Sequence, residues 1–317
     1  MPKCPDRSVG TLASFIVGKL PIAQRVAGTE CRRGLYLAEN SPSGSMTPSP
    51  SLGLARTGTS VIRSLGGRLL TRFPAADGMF RRWIWSRLEF PEAEMKFIDA
   101  LPSNSIDIAV DVGAARGAYS WILSRKSRQV FAFEPGEHHG QYLESAIGRS
   151  NIRLIRAAVG STCGNAQLYT PGSSEHAPYL ATLSETNPVV GRADVQVRVV
   201  DQVTLDSFFA DQLDNGRGID FVKVDVEGYE LEVFRGAEHL IARHHPLIIC
   251  EIEQRHNRDC GKVFRLLRTA GYTSYIFQGQ RFQRFDGDSI EHLQGSHEHR
   301  YINNFVFQHE QSRIKVA

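Results

Sequence analysis

Residues 106–126 read IDIAVDVGAARGAYSWILSRK. An alternating β-branched run ends at Asp111 and Val112, Gly113 and Gly117 bracket a short loop, and an amphipathic segment follows. Strand, glycine loop and helix form the opening unit of an α/β sheet that holds a ligand beyond its carboxyl edge. A pyrophosphate loop at this place prefers G-x-G-x-x-G and no carboxylate aimed at the anion. Here Ala115 replaces the middle glycine and Asp111 precedes the loop. The pattern favours a cationic or zwitterionic ligand, with Asp111, Gly113, Ala114 and Gly117 as candidate contacts.

Outward from this stretch, short apolar runs alternate with amphipathic helical segments. The runs are IDIAVDV, QVFAFEP, IRLIRAAVG, IDFVKVDVEG, PLIICEI, YTSYIF and NNFVF. AYSWILSRK, GEHHGQYLESAIG, YELEVFRGAEHLIARH and GKVFRLLRTAG lie between them, the last closed by Gly271 as a helix stop. This order predicts a doubly wound, mostly parallel seven-stranded sheet covered on both faces, with right-handed crossovers. The interval 160–218 breaks the rhythm with NAQLYTP, a polar loop, VQVRVV and TLDSFF. We expect an insertion after the third strand, acting as a substrate lid at the ligand-binding edge.

Ligands of such sheets sit past the strand ends. The second run ends at Glu134-Pro135, where an acid accepts hydrogen bonds from the two hydroxyls of a ribose. The third offers small residues around Ala158 against which an adenine lies flat. A nucleoside with a positively charged appendage fits this set, and S-adenosylmethionine is such a molecule.

The fourth run and its surroundings, TLDSFF, then VKVDVEGYELEVFRGA, then PLIICEIE and a terminal NNFVF, resemble the FkbM family of S-adenosylmethionine-dependent methyltransferases. The resemblance covers roughly residues 105–308. It implies a Rossmann-like class I methyltransferase fold and an acceptor that is a sugar, glycolipid or polyketide-type hydroxyl. One departure is visible: the family's first loop usually reads G-A-N-x-G, and Ala115 stands in place of the asparagine.

Methyl transfer to a hydroxyl needs alignment and removal of a proton. Asp225 and Glu227, at the end of the fourth run, and His256, after the fifth, are the candidate bases, with Asp225 also beside the cofactor. Asp225 has a second reading as the N-cap of the helix that follows. Lys223 is expected in an ion pair, and Glu253 on the surface. A degenerate methyltransferase fold that only binds remains the alternative function.

Composition bounds the rest. Of 317 residues, 41% are hydrophobic and 22% charged, enough for one large domain. The net charge is +3, yet the first 90 residues hold thirteen Lys and Arg against five Asp and Glu. Residues 1–60, rich in Ser, Pro, Gly and Arg, are expected to be a disordered basic leader. An organellar transit peptide, or a reading frame truly starting at Met46 or later, accounts for them equally well. Residues 61–104 are expected to form a helical extension, in which Phe80, Ile84, Leu88, Met95, Ile98 and Leu101 fall at helical spacing and Trp83 and Trp85 serve packing or an entrance. The body carries no basic cluster, so nucleic acid is not an expected partner; the expected partner is a small-molecule or glycan acceptor. Five scattered cysteines suit a reducing cytoplasm, no window is long enough to span a membrane, and His297 and His299 lack matched ligands for a metal.

Overall fold

The structure, a computed structural model, describes residues 92–147, 151–172, 180–210, 217–257, 259–278, 281–287, 290–295 and 301–316. The expectations for residues 1–60, for the extension before residue 92 with Trp83 and Trp85, and for His297 and His299 lie outside the described residues.

Helix α1 (Glu94–Ala100) leads into β1 (Ile106–Val112), α2 (Ala118–Ser124), β2 (Ser127–Phe133), α3 (Glu137–Ile147) and β3 (Ile152–Ile155). After the insertion come β7 (Ile219–Val224), α5 (Glu230–Arg235), α6 (Glu238–His244), β8 (Leu247–Glu251), α7 (Gly261–Thr269), β9 (Tyr272–Gln278), β10 (Arg281–Phe285), α8 (Ile290–Gln294) and β11 (Asn304–His309). The insertion supplies β4 (Ala158–Val159), β5 (Gly164–Pro171), a 3₁₀ turn (Pro188–Gly191), β6 (Val195–Val203) and α4 (Leu205–Phe209).

The main sheet runs β10-β9-β11-β8-β7-β1-β2-β3. Strands β3, β2, β1, β7 and β8 pair in parallel, and β11 runs antiparallel between β8 and β9. Strand order reverses beside β1, so the ends of β1, β2 and β7 converge on one crevice. This is the doubly wound, Rossmann-like sheet expected, with eight strands in place of seven. The extra one, β10, reads RFQRF; two arginines in five residues hide its strand character and suit an edge that should not pair further.

Alternation along the central strands feeds two cores. Val110, Val112, Phe133, Val222, Val224 and Phe305 pack on one face with α4 to α7. Met95, Ile98, Trp121, Phe221, Ile249 and Val306 pack on the other with α1 and α2. Met95 and Ile98, at helical spacing, are thus core residues.

Two segments divide where the sequence suggested continuity. IRLIRAAVG breaks after Ile155, because Ala158 and Val159 leave the main sheet and pair with Gln202 and Val203 of β6. YELEVFRGAEHLIARH breaks at Gly236, where a Cβ would lie 2.0 Å from the Gly160 carbonyl oxygen. Backbone contact with the insertion, which only glycine permits, ends α5 there.

Candidate active site

The loop after β1 is built on close backbone approach. Gly113 has φ +78°, and a Cβ on it would lie 1.8 Å from the carbonyl oxygen of Asp225. The Asp225 amide in turn donates to Val112 O at 2.9 Å. Glycine at 113 is what lets the ends of β1 and β7 meet. The loop's amides are spent within the fold: Gly113 and Ala114 both donate to Phe133 O at 3.0 Å, and Gly117 to Ala114 O at 2.7 Å. Ala115 donates to Glu134 Oε2 at 2.8 Å. Amides so committed do not form an anion cradle, which agrees with the missing middle glycine.

Ala115 itself sits at φ +46°, a left-handed conformation that disfavours alanine and that asparagine tolerates. The family's usual asparagine therefore suits the backbone of this position. Ala115→Asn is expected to stabilise the fold by about 1 kcal/mol, read as a higher urea midpoint at unchanged slope; a lower midpoint would refute the backbone explanation.

A cavity of about 140 Å³ opens beyond these strand ends. It is lined by Gly113, Ala115, Glu134, Pro135, His139, Leu168, Ala181, Leu183, Asp225, Val226 and Glu227. Three carboxylates face it and, among the described residues, no lysine or arginine does. Glu134 is 6% exposed; its Oε1 accepts from Gly136 N at 2.7 Å and its Oε2 from Ala115 N. Burial nevertheless pushes its carboxyl up to about 7. His139, also buried, stands 4.0 Å from Glu134 Oε1, and burial, then the nearby Arg116, lowers it to about 4, so it is neutral.

Asp225 follows β7 directly. Its Oδ2 lies 3.5 Å from the ammonium of Lys223, which is fully buried and also donates to Asn304 Oδ1 and Val224 O at 3.3 Å. The Lys223 ammonium stands 4.8 Å from the centre of the Tyr119 ring. Burial opposes its charge, but Asp225, then Glu92 and Glu251, hold its pKa above the usual lysine value. The ion pair expected of Lys223 is present. The N-cap reading of Asp225 is not: α5 starts at Glu230, and Tyr229 occupies the cap position.

Glu227 adopts φ +52°. Its Oε2 lies 2.6 Å from His256 Nδ1, and both side chains are largely buried, 16% and 11% exposed. Burial raises the Glu227 carboxyl above its usual value, against the pull of His256. Burial opposes the charge of His256, but Glu227 keeps its pKa above the usual one. Glu253 Oε2 stands 3.5 Å from the same nitrogen and also pairs with Arg255. Glu253 is 4% exposed, not a surface residue: β8 ends at Glu251, and the turn that follows tucks Glu253 inward to accept from Asn303 Nδ2 at 2.9 Å.

The cavity thus gathers Gly113, Glu134, Pro135, Asp225 and Glu227 from the sequence reading, with His256 paired behind Glu227. Asp111, Ala114, Gly117 and Ala158 do not line it. Asp111 is 2% exposed and accepts from Ser120 Oγ at 2.6 Å, with burial raising it to about 6. Its side chain braces α2 against β1. Gly117, at φ +80°, starts α2, and Ala158 belongs to the small sheet. Sequence reasoning missed His139, which reads as part of a helix surface, and Glu230, buried with Oε1 accepting from Gly228 N at 2.6 Å. It also missed Thr182 and Asn187, whose contacts depend on how the insertion folds back.

The family described as the Methyltransferase FkbM domain matches residues 111–274, just over half of the chain. Methyltransferase 1 of Beauveria bassiana (strain ARSEF 2860) is 25% identical over an alignment of 160 residues that covers 45% of this chain and 63% of that protein. The chain therefore spans less than two thirds of that relative. Among solved structures, methyltransferase FkbM from Methylobacillus flagellatus KT aligns with TM-score 0.41 at 18% identity, covering 66% of this chain and 45% of that one. An O-methyltransferase from Bacillus cereus in complex with SAH aligns with TM-score 0.41 at 11% identity, covering 76% and 94%. Among the described residues no helix is long and apolar enough to cross a membrane. The match across the glycine loop, the D-V-E-G-Y-E block and the strands between them places this chain in the FkbM methyltransferase family.

Proposed function

We propose that the protein transfers a methyl group from S-adenosylmethionine to a hydroxyl of a small-molecule or glycan acceptor, such as a sugar, glycolipid or polyketide. The observation that carries this reading is the cavity wall: Glu134, Asp225 and Glu227 face one space that, among the described residues, no lysine or arginine lines. Three carboxylates repel a pyrophosphate and attract a cation. Glu134 stands where a ribose would donate its two hydroxyls, Asp225 and Glu227 face the positive end of the molecule, and Leu168, Ala181, Leu183 and Val226 give the base apolar contact. When bound, S-adenosylmethionine supplies a methyl group already activated on a sulfonium.

What remains for the chain is to align the acceptor oxygen and take its proton. The Glu227–His256 pair supplies the proton acceptor. Glu227 holds His256 Nδ1 through Oε2, which leaves Nε2 as the imidazole's free basic nitrogen. Asp225, its charge balanced by the buried Lys223, sits beside the pair and fixes the local field.

Calorimetric titration with S-adenosylhomocysteine and with NAD tests the reading; binding of the first and not the second is expected, and binding of neither would leave only a fold that binds something else. In the same assay Glu134→Ala is expected to weaken S-adenosylhomocysteine by about 1.5–3 kcal/mol, the scale of charge-assisted hydrogen bonds. The raised pKa of Glu134, about 7, adds a pH signature. The ionised carboxylate is the better acceptor, so affinity should rise by about tenfold from pH 6 to pH 8. Glu134→Gln should flatten that slope; a slope that persists in the variant would assign it to another group.

A further inference from the structure

The carbonyl oxygen of Glu227 is held from the insertion by two side chains. Thr182 Oγ1 donates to it at 2.8 Å and Asn187 Nδ2 at 2.7 Å, so both lone pairs of one loop carbonyl are taken up. Both donors are anchored. Thr182 is fully buried, exchanges backbone hydrogen bonds with Tyr169 at 2.9 and 3.0 Å, and accepts from Ser184 N through its hydroxyl at 3.0 Å. Asn187 is 3% exposed and accepts from Val189 N at 2.9 Å, capping the 3₁₀ turn. Between the strand-end loop and these anchors, Glu227 takes the left-handed conformation, which a glutamate avoids unless its surroundings impose it. The conformation has a chemical consequence, since from it the carboxylate reaches His256 Nδ1 at 2.6 Å.

We infer that Thr182 and Asn187 are positioning residues of the active site: by holding the Glu227 carbonyl they impose the left-handed backbone that aims the Glu227 carboxylate at His256. The insertion is then more than a cover over the cavity. It sets the geometry of the proton-accepting pair, and a displaced insertion releases Glu227 from His256. This inference rests on the reading of Glu227 and His256 as that pair.

The test reads His256 directly. Its titration in the full chain, labelled with ¹³C-histidine and assigned with His256→Gln, is followed by NMR. The charged groups facing the ring are Glu227 from the strand-end loop and Glu253 and Arg255 from its own segment. The wild type should titrate above the ordinary histidine value of 6.5. Glu227→Gln should lower the midpoint by about one pH unit, the scale of losing an adjacent carboxylate. Thr182→Val with Asn187→Ser should lower it by about the same amount. Valine keeps the shape of threonine without the donor, and serine keeps the cap on Val189 while being one bond too short to reach the carbonyl. Thr182→Ser, which restores the hydroxyl, should titrate as the wild type. Should the double variant fold poorly, each single variant is expected to shift the midpoint part of the way.

A role confined to stability would lower the melting temperature and leave the midpoint in place, and that result overturns the inference. So does a Glu227→Gln variant whose His256 titrates unchanged. Binding of S-adenosylhomocysteine to the wild type is measured separately, so failure of the cofactor reading is distinguishable from failure of the positioning role.

Discussion

His256→Ala is expected to lower turnover by about a hundredfold or more, the scale of losing a general base. Glu227→Gln should cost a comparable factor, because Glu227 Oε2 and His256 Nδ1 share one hydrogen bond of 2.6 Å and it is Glu227 that raises the basicity of His256. The double variant should lose little more than either single one, as groups acting as a unit do. Cofactor affinity should change much less than turnover in His256→Ala, since that ring stands behind Glu227 and does not line the cavity.

The pH profile separates this pair from Asp225. Glu227 holds His256 above its usual pKa, so a rate that depends on its neutral form should rise with pH through a midpoint above the ordinary histidine value. A rate without that midpoint would take the role away from His256. Asp225→Asn removes a charge but not a helix cap, since α5 is not capped by that side chain. Turnover falling a hundredfold in Asp225→Asn, with His256→Ala nearly fully active, would transfer the role to Asp225.

Lys223→Met is expected to destabilise the fold by about 2–4 kcal/mol, less than the cost of removing one partner from a fully buried ion pair because the Asp225 side chain is 28% exposed. Lys223 is fully buried and its ammonium is the counter-charge of Asp225 at 3.5 Å. Asn304, which Lys223 also reaches, is tied to Glu92 at 3.0 Å, and Tyr119 donates to the same Glu92 oxygen at 2.5 Å. Methionine fills the volume but leaves Asp225 and Glu92 without the ammonium between them. Burial, then Asp225, raises the Glu251 carboxyl above the usual carboxylate range.

Urea denaturation of both proteins at pH 7 measures the deficit. A loss below about 1 kcal/mol at pH 7, within the range of exposed pairs, would mean that water reaches the network and screens it.

Local pattern was enough to read the sheet. The period-two runs around Ile108, Phe131, Val222 and Ile249 have no other way to bury both faces, and the helical segments between them force parallel crossovers. Glycine at 113 and the acid at 134 were legible for the same reason, because a tight strand-to-helix turn and a strand-end acid are written in consecutive residues. Strand β10 was not, since its arginines suit an edge and mask alternation. The break at Gly236 was not either, because it depends on the Gly160 carbonyl, far away in the chain.

The sequence by itself determined the fold class and the crevice beside β1, with Glu134 at its edge, because these follow from residue order along single strands and loops. Only the tertiary structure decided which candidates act together. Asp111 turned away to bind Ser120, Glu253 turned inward, and Glu227 met His256 across the gap between the ends of β7 and β8. The contacts that decided this, Thr182 and Asn187 to the Glu227 carbonyl, join residues 45 and 40 positions apart. No periodicity encodes a hydrogen bond over that separation. It exists because the small sheet of the insertion folds back on the strand end, and the left-handed turn at Glu227 is held only by that return.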